Sequence, residues 1–469
     1  MYTTSRLIIT AMALLPLTTA AAQERSHADT AGTNSTVAAS SALEVLVRQS
    51  VAVNPAVQAA QRRVDAARAR VLPAGLPPDP TLMAGIVNLP LGRMPSTVSA
   101  SGTATSSSGP DPMTMHMIGI SQTLPYPGKL SLRREEAERE VDAARASLDV
   151  ATRQVIRDVK DAYYELAFLD QALSIVDRNR DVLASFVRVT ETRYSVGVSG
   201  QQDVLKASVE ATRLSETAVT LTEQRRAEIA RLNALLNRPT DTPVEHPAIP
   251  TSVARAAVPV SAGEIRFASA ALGARAADSP LPPLAELQET AVRQSPEIRE
   301  HEAMIAAQAA RLQLAQKEVL PDFDLSLQYG QRGGGLPDMV TALVSVPLPV
   351  FKGRKQNQLV TGADAELAAL HAEHTAKVNQ IQAEVARLVS ELERSRAQLA
   401  LYVKALLPQS RASLASATDS YQVSRVDFLT VLDNQATVFN YETEYFRVLS
   451  DFAKNLAELE RVVGKEIIQ

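Results

Sequence analysis

From Leu130 to Tyr194 the chain runs 65 residues without a proline or a glycine. Small and apolar residues recur along this stretch at alternating steps of three and four. They are Val141, Ala144, Leu148, Ala151 and Val155, then Val159, Ala162, Leu166, Leu169, Leu173 and Val176, and on through Arg180, Leu183, Val187, Thr190 and Tyr194. This is a heptad seam with one extra step of four between Val155 and Val159, the mark of a stutter. A helix of that length spans roughly 100 Å at 1.5 Å per residue. Such a rod has to pack lengthwise against other helices, and its Ala and Thr positions let neighbours approach closely.

Length alone, 469 residues, would accommodate about three domains. The composition argues for long helices instead: Gly is 19, Trp is absent and aromatics are 4%. A net charge of −4 with acidic and basic residues interleaved gives no basic surface for nucleic acid. The absence of cysteine excludes disulfides, thiolate metal sites and a lipid-bearing N-terminal cysteine. Residues 1–22 read as an export signal: Arg6, a short apolar core from Leu7 to Leu17, and Ala20-Ala21-Ala22 before Gln23. A buried N-terminal helix is the alternative. No later stretch reaches the roughly 18 apolar residues of a membrane-spanning helix.

The rest of the chain divides around the long seam. Residues 23–41 form a polar, loose leader rich in Ser, Thr and Ala. A first unit, 42–238, begins with a helix from about Ala42 to Leu72 and continues through strands at Thr81–Leu89 and Met113–Leu124. The long helix follows, then Gly197 and Gly200, then a helix from about Gln201 to Leu236. A Pro- and Ala-rich linker occupies 239–283, and 284–469 repeats the order. Ser295-Pro296 falls 241 positions after Asn54-Pro55, and Pro321 falls the same distance after Pro80. Tyr421 and Val431-Leu432 fall 227 positions after Tyr194 and Val204-Leu205. The second long helix carries Ile381, Val385, Leu388, Leu392, Leu399, Tyr402 and Leu406 on its seam and ends at Tyr421. The spacing therefore predicts one duplicated unit of helix, two strands, long helix and helix.

In the second unit, Phe323, Leu325, Leu327 and Tyr329 alternate with Asp324, Ser326 and Gln328, a period of two with one apolar face. Of the four candidate strands, Thr81–Leu89 and Met113–Leu124 have the length suited to a tilted membrane strand, about 9 to 12 residues, and Phe323–Tyr329 and Val340–Val346 are somewhat shorter. Four strands cannot close a barrel, and an open edge cannot sit in lipid, so membrane strands would have to be pooled by several chains. A small soluble sheet capping a helical bundle fits the same pattern.

The duplicated order, Tyr194-x-x-Gly197 followed by Asp203-Val204-Leu205, and Tyr421 through Val431-Leu432-Asp433, resembles the TolC family of outer-membrane efflux ducts from about Ala42 to Gly464. Ile120-Ser121-Gln122-Thr123-Leu124-Pro125-Tyr126-Pro127-Gly128-Lys129-Leu130 is similar to a segment of its heavy-metal branch. The resemblance implies a mainly α fold with a small β part. Three chains would each give four strands to a twelve-stranded transmembrane barrel, above a tapering α-helical barrel that crosses the periplasm. The linker and termini would form a belt around its middle. A periplasmic adaptor and an inner-membrane pump of the resistance-nodulation-division type would complete the exporter.

The resemblance also places the two helix-to-helix tips at a periplasmic constriction. Tyr194, Asp203, Tyr421, Arg425 and Asp433 would line or brace the gate, with Arg193 and Arg425 as ion partners and Asp203 and Asp433 at equivalent places. Gly197, Val198, Ser199, Gly200, Ser424, Val426 and Asp427 would meet the adaptor. The alternative is that the glycines only turn the chain and the charges are solvated. Ser424 stands where the family carries glycine, so a looser second turn is expected.

No phosphate loop, HExxH or nucleophile elbow is present, and no cofactor is implied. Met113, Met115, His116 and Met117 have the soft ligands that suit Cu(I) and Ag(I). On a strand the methionines share one face and His116 takes the other, so a lipid-facing methionine row is the competing reading. His371 and His374, three apart on a helix, either chelate or lie on a solvated face. Two functions remain open: a passive duct that discriminates little among metal cations or small toxic molecules, and an exported coiled-coil scaffold or adaptor without a pore.

Overall fold

In the computed structural model the long seam is a single helix, α3, spanning Lys129–Ser195, 67 residues and about 100 Å. The structure describes residues 30–89, 114–197, 200–245, 247–258, 281–332 and 335–468. The export signal at 1–22, Met113, Val198, Ser199 and most of the linker lie outside them. Val141, Val155, Val159, Ala162, Leu166, Leu169, Val176, Leu183 and Thr190 of the seam are all buried, on both sides of the stutter.

Two shorter helices precede α3. Helix α1 covers Thr30–Val53 and α2 covers Pro55–Ala74. Helix α1 thus begins inside the stretch expected to be a loose leader, 23–41; once the Ala42–Val53 turns are nucleated, extending them upstream is cheap. The single helix expected from Ala42 is broken at Asn54. Pro55 has no N–H to continue the ladder and sits at the first helical position, where none is needed. Asn54 Oδ1 accepts from Ala56 N at 2.9 Å, capping α2.

After α3 comes α4, Gln201–Leu235, then a short helix α5 at Thr251–Ala257 inside the expected linker. Helices α6 (Leu284–Gln294) and α7 (Pro296–Lys317) follow. Helices α8 (Gln356–Leu401) and α9 (Leu407–Gln422) form a second long rod, and α10 (Phe428–Val463) returns along it. The seam is not continuous as expected: a π turn at Tyr402–Leu406 joins α8 to α9. Pro408 explains it, because its ring excludes the ordinary i−4 bond and the extra residue absorbs the mismatch.

The rods stand side by side. Helices α2 and α4 pack on α3, α3 packs on α7 and α10, and these pack on α8. Helices α2 and α4 meet end to end: Asn54 Nδ2 donates to the Leu235 carbonyl at 2.9 Å. Ion pairs fix the register between rods, Arg157 with Glu458 at 2.6 Å, Lys160 with Glu460 at 2.7 Å and Arg311 with Glu136 at 2.7 Å. The largest core joins Leu43 of α1, Val253, Ala256 and Ala257 of α5 and Leu281 to the middle of α3 and the C-terminal halves of α8 and α10. Linker and chain ends thus converge on the waist of the rods.

At one end of the rods lies a four-stranded antiparallel sheet in the order β1-β2-β3-β4: Thr81–Val87, Met115–Leu124, Phe323–Arg332 and Met339–Ser345. Lys129, only 3% exposed, ties it to α3 through Asp322 and the Leu320 carbonyl, both at 2.7 Å.

Candidate functional site

The register sorts the strand residues into two faces. Leu82, Ile120, Leu327 and Ala342 align in one row, and Ala84, Ile118, Tyr329 and Val340 in the next row on that face. Leu124 and Phe323 extend it. This face is apolar and open to the outside, with Leu327 53% and Val340 69% exposed. From Phe323 to Tyr329 it runs about 20 Å along the strand at 3.3 Å per residue, which at a barrel strand's tilt of about 40° spans about 15 Å of the roughly 25 Å apolar band of outer-membrane barrels. The other face carries Thr81, Ser121, Thr123, Asp324, Ser326, Gln328, Thr341 and Ser345. On β2 and β3 every residue of this polar face is buried or half-buried. Among the described elements the strands pack chiefly against one another, so the difference marks the concave side of a curled sheet. Strands β1 and β4 each keep one unpaired edge. No described helix is long and apolar enough to cross a membrane.

Met115 and Met117 lie on the polar, concave face and His116 on the apolar one. The lipid-facing methionine row is therefore overturned: the pleat puts these thioethers beside Thr and Ser, opposite the apolar rows. Among the described residues no three His, Cys, Asp or Glu side chains converge as metal ligands, so His371 and His374 have no third partner of these types there.

The two tips lie at the far ends of the rods. At the first, Gly197 is left-handed with φ +76°, and its N–H donates to the Tyr194 carbonyl at 2.9 Å. Gly200 is extended and opens α4. At the second, Ser424 is also left-handed, φ +59°. Its N–H donates to the Tyr421 carbonyl at 3.0 Å, and Arg425 N donates to the Ser420 carbonyl at 2.9 Å. The looser second turn is thus corrected. Serine bears the cost of that conformation because Arg193 of α3 holds it: Nη2 donates to Ser424 Oγ at 2.6 Å and Nη1 to the Tyr421 carbonyl at 3.1 Å. The guanidinium also sits 4.6 Å from the centre of the Tyr421 ring. Arg193 is therefore a clamp on backbone and ring. Asp427 opens α10, and Val426 packs on the tip core.

The gate candidates are not alike. Tyr421 is 8% exposed and packs 5.5 Å from Phe428, which meets Phe186 edge-on at 6.2 Å. Tyr194 is 49% exposed. Tyr421 braces through its ring; its hydroxyl is buried without a hydrogen bond among the described residues. Burial raises this phenol above its ordinary value; Arg193 opposes the shift and Asp203 adds to it. Asp203 is the third residue of α4, whereas Asp433 is the sixth of α10, so the two are not equivalent. Arg425 and Asp433 are exposed. Phe186 and Phe428, which build the tip core, carried no motif; their apolar heptad-like placement was the only signal.

An open, amphipathic sheet with two ten-residue and two seven-residue strands, set on a palisade of rods up to about 100 Å long, is the architecture of a duct subunit. The model of the outer membrane efflux protein family matches residues 46–238 and 287–465, and the chain belongs to that family. It is 22% identical over 342 residues to the cobalt-zinc-cadmium resistance protein CzcC of Cupriavidus metallidurans, covering 72% of this chain and 74% of the relative. It is 24% identical over 431 residues to the nodulation protein T of Rhizobium leguminosarum bv. trifolii, covering 89% and 84%. Its fold matches the outer membrane protein VceC of Vibrio cholerae with a TM-score of 0.71 at 19% identity, over 91% and 96%. The protein is a TolC-like outer-membrane efflux protein with its helical part in the periplasm.

Proposed function

We propose that three copies of the chain pool their strands into a twelve-stranded barrel and form a passive conduit for metal cations or other small toxic molecules. An inner-membrane pump of the resistance-nodulation-division type and a periplasmic adaptor deliver the cargo; the duct catalyses nothing. The observation that carries this reading is the sheet with one apolar face and two unpaired edges. In lipid each unmatched backbone group costs several kcal/mol, and closure with neighbouring copies removes both edges. Exposed Leu205, Val209 and Val219 on α4, and Leu401 on α8, give the outer rods apolar surface for those copies as well. In this reading Tyr194, Asp203, Tyr421, Arg425 and Asp433 form the periplasmic gate, and Gly197, Val198, Ser199, Gly200, Ser424, Val426 and Asp427 meet the adaptor.

Fractionation and native mass measurement in detergent test the assembly. The protein should sediment with outer membranes and run as a trimer; a soluble monomer with full strand content would leave only the scaffold reading. Single-channel recording tests the gate. Asp203→Ala combined with Asp433→Ala should change the resting conductance or its block by multivalent cations, because three copies concentrate these charges at one mouth. Unchanged traces from an intact trimer place the gate elsewhere.

A further inference from the structure

Five methionines lie among the described residues, and four of them share the concave face of the sheet. They are Met83 of β1, Met115 and Met117 of β2 and Met339 of β4; Met304, on α7, is the fifth. The rest of this face is mostly hydroxyl, amide and charged groups, so four thioethers there are out of place as lining for water. The register gathers them. Met117 stands opposite Gly85 on one side and Gly330 on the other, and Gly330 stands opposite Met339. Met83 stands opposite Gly119, one diagonal step from Met117. Gly85 leaves open space beside Met117, while the Gln328 side chain lies over Gly119, where a Cβ would sit 2.8 Å from its Cγ. The space over Gly330 is filled by sulfur: a Cβ there would lie 2.7 Å from Met115 Sδ. Met115 thus reaches across the ladder toward Met339.

We propose that Met83, Met115, Met117 and Met339 form a thioether site for soft monovalent metal cations, Cu(I) or Ag(I), on the inner wall of the conduit. Thioether sulfur is soft and polarisable and selects these ions over the harder divalent ones. It also needs no deprotonation, so binding is insensitive to pH where an imidazole site would be lost. The site lies toward the end of the sheet remote from the helices. If the sheet closes as proposed above, three copies ring the lumen near its outer mouth, where several weak ligands let an ion bind and leave. The site in one chain does not depend on that closure, but its inward position does.

The test is titration of the full-length protein in detergent with silver nitrate in chloride-free buffer, followed by calorimetry. Saturable binding is expected, unchanged between about pH 5.5 and pH 7.5, the range over which histidine titrates. Zinc nitrate should give no saturable heat. Replacing all four methionines by Leu should weaken Ag(I) binding at least about tenfold, equivalent to 1.4 kcal/mol, and His116→Ala should leave it intact. Should the quadruple variant fail to assemble, the unaltered protein still decides: Ag(I) should slow peroxide oxidation of Met83, Met115, Met117 and Met339 but not of Met304, read by peptide mass. Absent saturation, undiminished binding in the Leu variant, or equal oxidation of all five methionines would overturn the site. Pores that form in bilayers without Ag(I) binding defeat the site alone. A soluble monomer that still binds Ag(I) defeats the conduit and leaves the site standing.

Discussion

Arg193 is the residue on which the second tip depends. It spends its donors on two backbone carbonyls and a serine hydroxyl and lays its plane against a buried ring. Lysine cannot reproduce that fork, so Arg193→Lys should behave much like Arg193→Ala. Either substitution should open the turn, and trypsin should then cut after the exposed Arg425 several-fold faster than in the unaltered protein. An unchanged cleavage rate would mean that the helices alone hold the turn. Ser424 reports on the same contact. A β-branched side chain at φ +59° adds strain on the order of 1–2 kcal/mol, so Ser424→Val should lower the stability of the tip by about that much. Ser424→Gly relieves strain but loses the hydrogen bond to Arg193, and should come out near neutral.

Among the elements, the joints between helices decide the architecture. Asn54 both caps α2 and grips the end of α4, so Asn54→Ala should destabilise the protein by about 1 kcal/mol or more in denaturant titration. Where α7, α8 and α10 meet, Glu297 in the first turn of α7 accepts from Arg461 at 2.7 Å and Lys377 at 3.2 Å. Burial alone would raise its carboxyl, but these hydrogen bonds hold it below the ordinary 4.5. The folded state therefore releases this proton more readily than the unfolded one. Its stabilisation is complete above about pH 4.5 and is lost as the pH falls through the lower folded value. Glu297→Gln should cost about 1–3 kcal/mol at pH 7, and the gap to the unaltered protein should narrow in thermal melts at more acid pH. A gap that stays constant with pH would assign the loss to packing.

For the whole molecule, the two faces of the sheet make opposite demands. Leu327 sits midway along the apolar face, opposite Ile120 and Ala342. Leu327→Arg should cost about 2–4 kcal/mol if that face meets the bilayer midplane, and should deplete the protein from outer membranes. Ser326→Arg, one residue away on the concave face, should be tolerated. Equal depletion by both would show that the sheet fails for a reason other than lipid contact.

The sequence by itself determined the features that repeat locally. The heptad steps from Val141 to Thr190 specify a rod and its buried seam, because a 3.6-residue period fixes which side chains share a stripe. The alternation from Phe323 to Tyr329 specifies a strand with one apolar face for the same kind of reason. Gly197 and Gly200 mark the first tip as a turn. Other features depend on partners far away in the chain. Spacing says that Met115 and Met117 share a face, but only pairing with β3 decides that the face is polar and concave. The family's glycine at the place of Ser424 marks a turn, but nothing near it says how a serine can be left-handed there; Arg193, more than two hundred positions earlier, makes it tolerable. Tyr194 and Tyr421 look alike in sequence, yet Phe428 and the Arg193 clamp enclose one while the other stays exposed. Local periodicity is a property of the backbone and survives in any context, whereas enclosure, register and clamping are made between segments and exist only once the chain has packed.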